Sequence, residues 1–512
     1  MTSSPGKGSP KSTRSSPPPD IGITSHWYTI LLESKAAHLA LFSTYLFTIF
    51  IKWCVSLNGY SGQGVPPLYG DFEAQRHWLE LTVNLPREQW YRYDLQYWGL
   101  DYPLITAYHS WIMGIIARCI NVEWVALDTS RGYESDGLTV FMRATALVTE
   151  YALYVPAVVF FANRWIGYAK FVPKNVLILL ILLQPALIII DHGHFQYNSA
   201  MLGFTVWTIV CLIRGKYLLG SVMFCLALNY KQMALFYALP VFWFLLGRCF
   251  IEKGGFRILI KIACTVVATF AVIFAFYCTS LPDILQVFKR VFPVERGLYE
   301  DKVANVWCAI SVVVKLRQMF ELQTLVYVSI LVTLLSVLPS GINLFLSPTP
   351  KRLVYALLNS SLGFFLFAFQ VHEKSILLPL LPATLLLLDE PLWSVWFNNV
   401  AMFSMFPLLK RDQLVLPYVL LLLLWNWFAS FSFRRASKNA RIVVLLSYIP
   451  ILLVHGLEAT VPPPAKFPDI YTMANVGIST GLFLVFLVYF NYRQFTLSDS
   501  SIPSINNKLK RT

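Results

Sequence analysis

The stretch VLILLILLQPALIIIDHGHFQYN, residues 176–198, decides the class of fold. From Val176 to Ile190 it carries no charge, and then Asp191, His192, His194, Gln196 and Asn198 crowd together directly behind it. An apolar run close to the roughly 20 residues that cross a hydrocarbon core, ending in a polar knot, reads as a membrane helix leaving the bilayer. The same pattern recurs outward along the chain, at Ala37–Leu57, Ile258–Tyr277, Gln413–Phe431 and Asn475–Phe490. Of the 512 residues 56% are hydrophobic and only 13% charged, with a mean hydropathy of +0.58; a soluble domain carries about twice that charged fraction. Such runs form helices because backbone polar groups inside lipid must be satisfied within the segment. The expectation is an all-α, polytopic membrane protein.

The net charge of +14, from 41 Lys+Arg against 27 Asp+Glu, forms no basic stripe of the kind that binds nucleic acid. The basic residues punctuate the gaps between apolar runs, as the positive-inside rule requires, so no nucleic-acid partner is expected. The eight cysteines show no CxxC and no regular spacing, and most read as small hydrophobes within apolar runs. Residues 1–20 are rich in Ser, Pro and Lys without an apolar core. No cleavable signal peptide is expected there, and residues 1–35 read as a disordered cytosolic tail.

Alternation from a cytosolic N-terminus predicts spans near 36–57, 138–162, 175–190, 197–213, 218–230, 233–249, 257–279, 322–346, 353–370, 376–388, 395–408, 413–431, 441–455 and 470–490, about fourteen in all. Residues 58–137 become a long first lumenal loop, in which Leu104–Ile120 is expected to lie along the membrane surface. Residues 281–305 form a second lumenal loop, and 303–320 a partial or re-entrant helix. Residues 491–512 are a cytosolic tail ending KLKRT, with lysines third and fifth from the end. That form suits an endoplasmic-reticulum retrieval address, although short basic tails also arise by chance. The sequon Asn359-Ser360-Ser361 falls inside a predicted span, where it should not be modified.

On this map five polar clusters share the lumenal face: residues 69–78, 94–103, 191–198, 296–302 and 371–375. Charge beside a span is costly unless wet, paired or functional. Asp71, just past the first span between Gly70 and Phe72, has two readings. Held against aromatic rings it would be partly desolvated, more basic and suited to accept a proton; paired with Arg76 it would only fix the loop. Asp191, His192 and His194 resemble a metal-ligand trio, but a helix does not aim such close neighbours at one point. A hydrogen-bonded polar cap or a substrate contact is expected instead. His372, Glu373 and Lys374 read as a helix end with snorkelling charge, or as a contact for phosphate at headgroup level. Glu300 and Asp301, beside Arg296 and Lys302, form either a salt-bridged loop or part of the same site.

The strings GDFEAQRHW (70–78), WYRYDLQYWGLDYP (90–103), DHGHFQYN (191–198), RGLYEDKVANVW (296–307) and VHEKSILLPLLP (371–382) resemble the endoplasmic-reticulum glucosyltransferases of N-glycan precursor assembly, from about residue 36 to 490. DHxHFQYN and VHEKS are shared with the members that add the second glucose; GDFEAQRHW and YWGLDYP favour those adding the first, in α-1,3 linkage, to the nine-mannose lipid-linked oligosaccharide. The resemblance implies a GT-C fold and a catalytic loop after the first span. It also implies inverting transfer from dolichyl-phosphate-glucose to a dolichyl-pyrophosphate-linked acceptor, without cofactor or divalent metal. By the same likeness Asp71 matches the catalytic base. Asp101, Glu300 and His372 match active-site positions; beside them, Lys374 and Arg296 are expected to contact phosphate and His194 to contact substrate. The family's DYPP becomes Asp101-Tyr102-Pro103-Leu104 here, which puts the local loop geometry in question. A mannosyltransferase or second glucosyltransferase of the same fold is the nearest rival. A transporter would place its charges at mid-bilayer in a repeated layout, and no internal repeat is found.

Overall fold

A computed structural model describes residues 36–165, 174–277, 280–292 and 302–498, with Trp27 and Ile30. Nearly all of the N-terminal tail, residues 499–512 and the motif residues 293–301 lie outside the described residues. Every regular element among the described residues is helical. Six helices are long and apolar enough to cross a membrane: Asp136–Trp165, Gln232–Ile251, Gly255–Ala275, Leu322–Leu346, Lys438–Thr460 and Ile470–Phe495. A seventh candidate is the pair Lys174–Leu182 and Pro185–Phe195, bent by 42°. Proline explains the bend: it lacks the N–H that would continue the ladder, and Gln184 restarts the helix by accepting from Leu187 N at 2.6 Å.

Several predicted spans are shorter than expected. The segment 36–57 holds a 17-residue helix, Ala40–Ser56 (α1), and 376–388 holds Leu377–Leu385, whereas the span predicted at 395–408 keeps its 14 residues but lies nearer the N-terminus, at Pro391–Ser404. The last two are packed on nearly every side, so protein rather than lipid surrounds them and bilayer thickness does not dictate their length. Residues 303–320 form only Val306–Ser311 and Leu316–Met319, neither long enough to cross. By contrast, Gly255–Ala275 exposes Phe256, Val267 and Val272, each at least 66% accessible. Faces of that kind exceed what a water-soluble surface carries and suit hydrocarbon. Of the cysteines, Cys211, Cys225, Cys249 and Cys308 are buried, whereas Cys54, Cys119 and Cys264 are exposed.

The expected loop 58–137 is itself helical. It contains Gly70–Asn84 (α2) and Leu104–Ile120 (α3), which pack together. Helix α3 turns Trp111, Ile112, Ile115, Ile116 and Ile120 outward, the apolar face expected of a helix lying on a membrane. Pro103 is its N-cap and Leu104 its first residue. The replaced proline would therefore sit at the first helical position, where its missing N–H costs nothing and its φ suits the helix; leucine there changes little, and Leu104 is fully buried.

Candidate active site

Helix α2 is amphipathic in an unusual sense: its packed side is charged. Arg76 is buried and donates through Nε and Nη2 to both carboxylate oxygens of Glu73, each at 2.6 Å, and through Nη2 to Glu80 at 2.7 Å. These partners stand three and four residues away, on one helical face. Glu73 also accepts from Tyr97 Oη at 2.8 Å and Gly132 N at 3.1 Å, and Glu80 from Asp128 N at 2.7 Å. Burial pushes the Glu80 carboxyl up, but His77 and Arg76 outweigh it and hold it at about 2. The cluster thus ties the segments around 97 and 124–132 to α2 and sets the position of its first turn. Arg76 is fully engaged here, which removes the Asp71–Arg76 pairing left open by the sequence.

The first turn itself is held by close backbone packing. Gly70 sits at φ +67°, and a Cβ there would come within 2.6 Å of the Ser61 carbonyl. Only glycine lets residues 61 and 70 meet this closely. Ser61 N donates to His194 O at 3.1 Å, and Asp71 N faces Ser61 Oγ at 3.3 Å. One serine thereby joins the start of α2 to the 191–198 segment.

That segment leaves the membrane region as a single π-helical stretch, Ile189–Phe195, and its three candidate ligands diverge. Asp191 accepts from Asn198 N at 3.1 Å and Ser199 N at 2.7 Å, capping the next helix, Asn198–Ile213. His192 Nε2 meets Glu150 at 2.7 Å, and Glu150 also takes Lys52 Nζ at 2.7 Å. His194 alone turns towards Asp71, with Nε2 3.0 Å from Oδ2. Among the described residues no cluster of His, Cys, Asp or Glu is arranged to hold a metal ion. Arg143 clamps the stretch by donating to the His192 and Gly193 carbonyls at 2.5 and 2.8 Å.

Asp71 is the meeting point. Its Oδ2 accepts from Gln196 Nε2 at 2.6 Å and from Lys374 Nζ in a short ion pair, and lies 3.0 Å from His194 Nε2. Among the described residues Oδ1 accepts nothing, and the side chain keeps 25% of its surface accessible. The expected rise in basicity is reversed. Phe72 turns away to stack on Tyr60, so the carboxylate faces cations rather than rings. Burial pushes it up, but Lys374 and His194 hold it well below the usual carboxylate range.

Two residues that the sequence did not single out complete the site. Lys231, between Tyr217–Tyr230 and Gln232–Ile251, is buried and donates to Gln196 Oε1 at 2.7 Å and Asn198 Oδ1 at 2.6 Å. Its bonds go to neutral amides, and burial, reinforced by Lys374, pulls its ammonium down to about 7. Asp412, behind His194, meets Nδ1 at 2.5 Å. Lys231 falls in the gap between the predicted spans 218–230 and 233–249, at the lumenal end of the predicted alternation where basic residues are disfavoured, the one faint signal available; Asp412 gave none. Asp101 lies beside Lys231 and Tyr102, with its carbonyl 3.5 Å from Gln232 Nε2. His372 is exposed at the head of the turn that carries Lys374, its backbone N donating to Ser375 at 3.3 Å. Glu300 and Arg296 lie outside the described residues.

A helical membrane bundle with a carboxylate, two lysines and an imidazole gathered at one end is the setting of a lipid-linked sugar transferase, and residues 48–489 match the ALG6, ALG8 glycosyltransferase family; the chain belongs to it. It is 46% identical to the dolichyl pyrophosphate Man9GlcNAc2 alpha-1,3-glucosyltransferase of Gallus gallus, over 88% of this chain and 95% of that one. Identity is 45% with a probable enzyme of the same name from Schizosaccharomyces pombe, over 86% and 88% of the two chains. With the Saccharomyces cerevisiae enzyme it is 41%, over 89% and 92%.

Proposed function

We propose that the protein moves glucose from dolichyl-phosphate-glucose to a terminal mannose of the dolichyl-pyrophosphate-linked Man9GlcNAc2 oligosaccharide, with inversion to an α-1,3 bond. The observation that carries the reading is the state of Asp71: one oxygen packed against Gln196, Lys374 and His194, the other open and unbonded among the described residues. Oδ1 takes the proton of the mannose hydroxyl as that oxygen attacks the anomeric carbon. The C1–O bond to phosphate breaks, and dolichyl phosphate leaves. Lys374, released from Asp71 as the hydroxyl arrives, and Lys231 supply positive charge to the departing phosphate, so the scheme uses no divalent metal. His372 and Asp101 are assigned to substrate binding around this pair, and Glu300 and Arg296 keep the substrate-binding roles that the family resemblance implies.

The same reading assigns a GT-C bundle of about fourteen membrane helices, counting the shorter apolar ones. It spans residues 36–490 in the endoplasmic reticulum, with the Asp71 face lumenal and the tails 1–35 and 491–512 cytosolic. A phosphate leaving on a lipid needs its site at headgroup level, and the outward apolar face of α3 supports that placement.

Purified protein offered dolichyl-phosphate-glucose or dolichyl-phosphate-mannose with the nine-mannose acceptor is expected to transfer glucose alone, giving an α-anomer by NMR. Equal use of mannose, or a β product, overturns the assignment. The strings DHGHFQYN and VHEKS also resemble those of enzymes that add the second glucose, so an acceptor already carrying one glucose is the necessary control.

The Lys374 pair also sets a pH dependence. The base works ionised, and Lys374 lowers its pKa. Lys374→Met lets burial dominate, so the acid limb of the rate profile is expected to move to higher pH by about 1–3 units, the usual effect of a close opposite charge. An unmoved limb would separate Lys374 from the base.

A further inference from the structure

His194 lies between two carboxylates. Nε2 is 3.0 Å from Asp71 Oδ2 and Nδ1 is 2.5 Å from Asp412 Oδ2, while Lys374 Nζ also stands 3.2 Å from Nε2. An imidazole has two nitrogens and can donate from both only as a cation. In that form it bridges the two carboxylates. As a neutral ring it keeps its N–H on Asp412, and Nε2 instead accepts from Lys374. Both proton states therefore find bonded partners with no heavy atom moved. The other charges packed around this stretch are already committed: Lys52 and Glu150 to each other and to His192, Arg143 to backbone carbonyls, Asp191 to the following helix, and Lys231 to Gln196 and Asn198, while the exposed Arg411 stands 3.9 Å from the other Asp412 oxygen, Oδ1. His194 and Asp412 are nearly inaccessible, so only the Asp71 end of the line meets solvent.

We propose that Asp71, His194 and Asp412 form a proton relay in which Asp412 is a positioning residue acting through His194. This rests on Asp71 being the base. The mannose proton arrives on Asp71, a half-turn of the carboxyl carries it to Nε2, and Asp412, holding the Nδ1 proton, stabilises the imidazolium. As Lys374 turns to the departing phosphate it ceases to compete for Nε2. The proton returns through Asp71 to water once product leaves. A weak carboxylate base, held in a cationic site, thereby gains a buried acceptor behind it.

The test is single-turnover transfer across pH with Asp412→Asn and Asp412→Glu in the full-length protein. Asparagine keeps the hydrogen bond and removes the charge. The expected result is a rate at least about tenfold lower, as for other carboxylates that orient a histidine, with both substrate KM values unchanged. The acid limb should fall by about one pH unit, because the relay binds its proton less tightly. That shift is opposite to the one expected for Lys374→Met, and Asp412→Glu should restore the limb. A slowed Asp412→Asn enzyme with an unmoved limb would make Asp412 merely structural; a wild-type rate would remove it altogether. Should the variant fail to fold, His194→Gln carries the test: its amide can still bond the carboxylates but accepts no proton, so a rate at least about tenfold lower with unchanged KM values is expected, and a wild-type rate overturns the relay. An active Asp71→Asn enzyme would instead sink the base itself, whatever Asp412 does.

Discussion

Asp71→Asn is expected to insert, fold and bind both substrates while losing glucosyl transfer by about 10²- to 10⁴-fold, the usual contribution of a positioned base. The amide keeps the size of the carboxylate, and its oxygen can still accept from Gln196, which donates to Oδ2 in the native site. It has no group able to take a proton at neutral pH. Loss should therefore fall on kcat rather than on KM. Lys374 loses its ion-pair partner and is freer to meet phosphate, so donor affinity is expected to hold or improve. Single-turnover rates with saturating donor and acceptor, beside donor affinity measured directly, give the two readouts. Turnover within a few-fold of wild type would take the base away from residue 71.

Arg76→Met is the change expected to damage the fold most. The guanidinium is enclosed by Glu73 and Glu80, and it also reaches Ser130 Oγ at 2.7 Å and the Trp124 carbonyl at 3.1 Å. Removing it strips the buried Glu73 of its counter-ion and leaves the buried Glu80 with His77 alone, a loss of about 3–5 kcal/mol for a broken buried pair. Activity should fall as well, since the cluster holds the helix that presents Asp71. The comparison that identifies the cause is a triple variant, Glu73→Gln with Arg76→Met and Glu80→Gln, in which no charge is stranded. It is expected to recover much of the stability lost by Arg76→Met alone, measured by thermal unfolding in detergent micelles. A triple variant no more stable than the single one would mean that Arg76 acts through packing rather than charge.

The site divides into what local sequence reveals and what it hides. Asp71 and Lys374 belong to short polar strings at the ends of apolar runs, and such strings stand out because lipid-facing sequence excludes charge. The direction of the Asp71 shift was misread because neighbouring Phe72 and Trp78 are visible in the sequence, whereas Lys374, 303 residues away, is visible only as another string. Asp412 ends a short helix next to Arg411 and looks like an ordinary charged turn. Only its seat behind His194, 218 residues distant, gives it a role. The predicted span lengths fared unevenly for a related reason: apolar composition marks burial, but not whether lipid or protein is the burying medium.

By itself, then, the order of residues determined that this chain lives in a membrane, which family it joins, and which loops bear chemistry. Those properties depend on local composition and on strings a few residues long. The tertiary structure alone decided which charges meet: that Arg76 serves the fold and not Asp71, that Asp191, His192 and His194 part company, and that Lys231 and Asp412 stand near Asp71. Coulomb interactions act over a few ångströms of space and take no account of distance along the chain, so they follow only once the helices are packed.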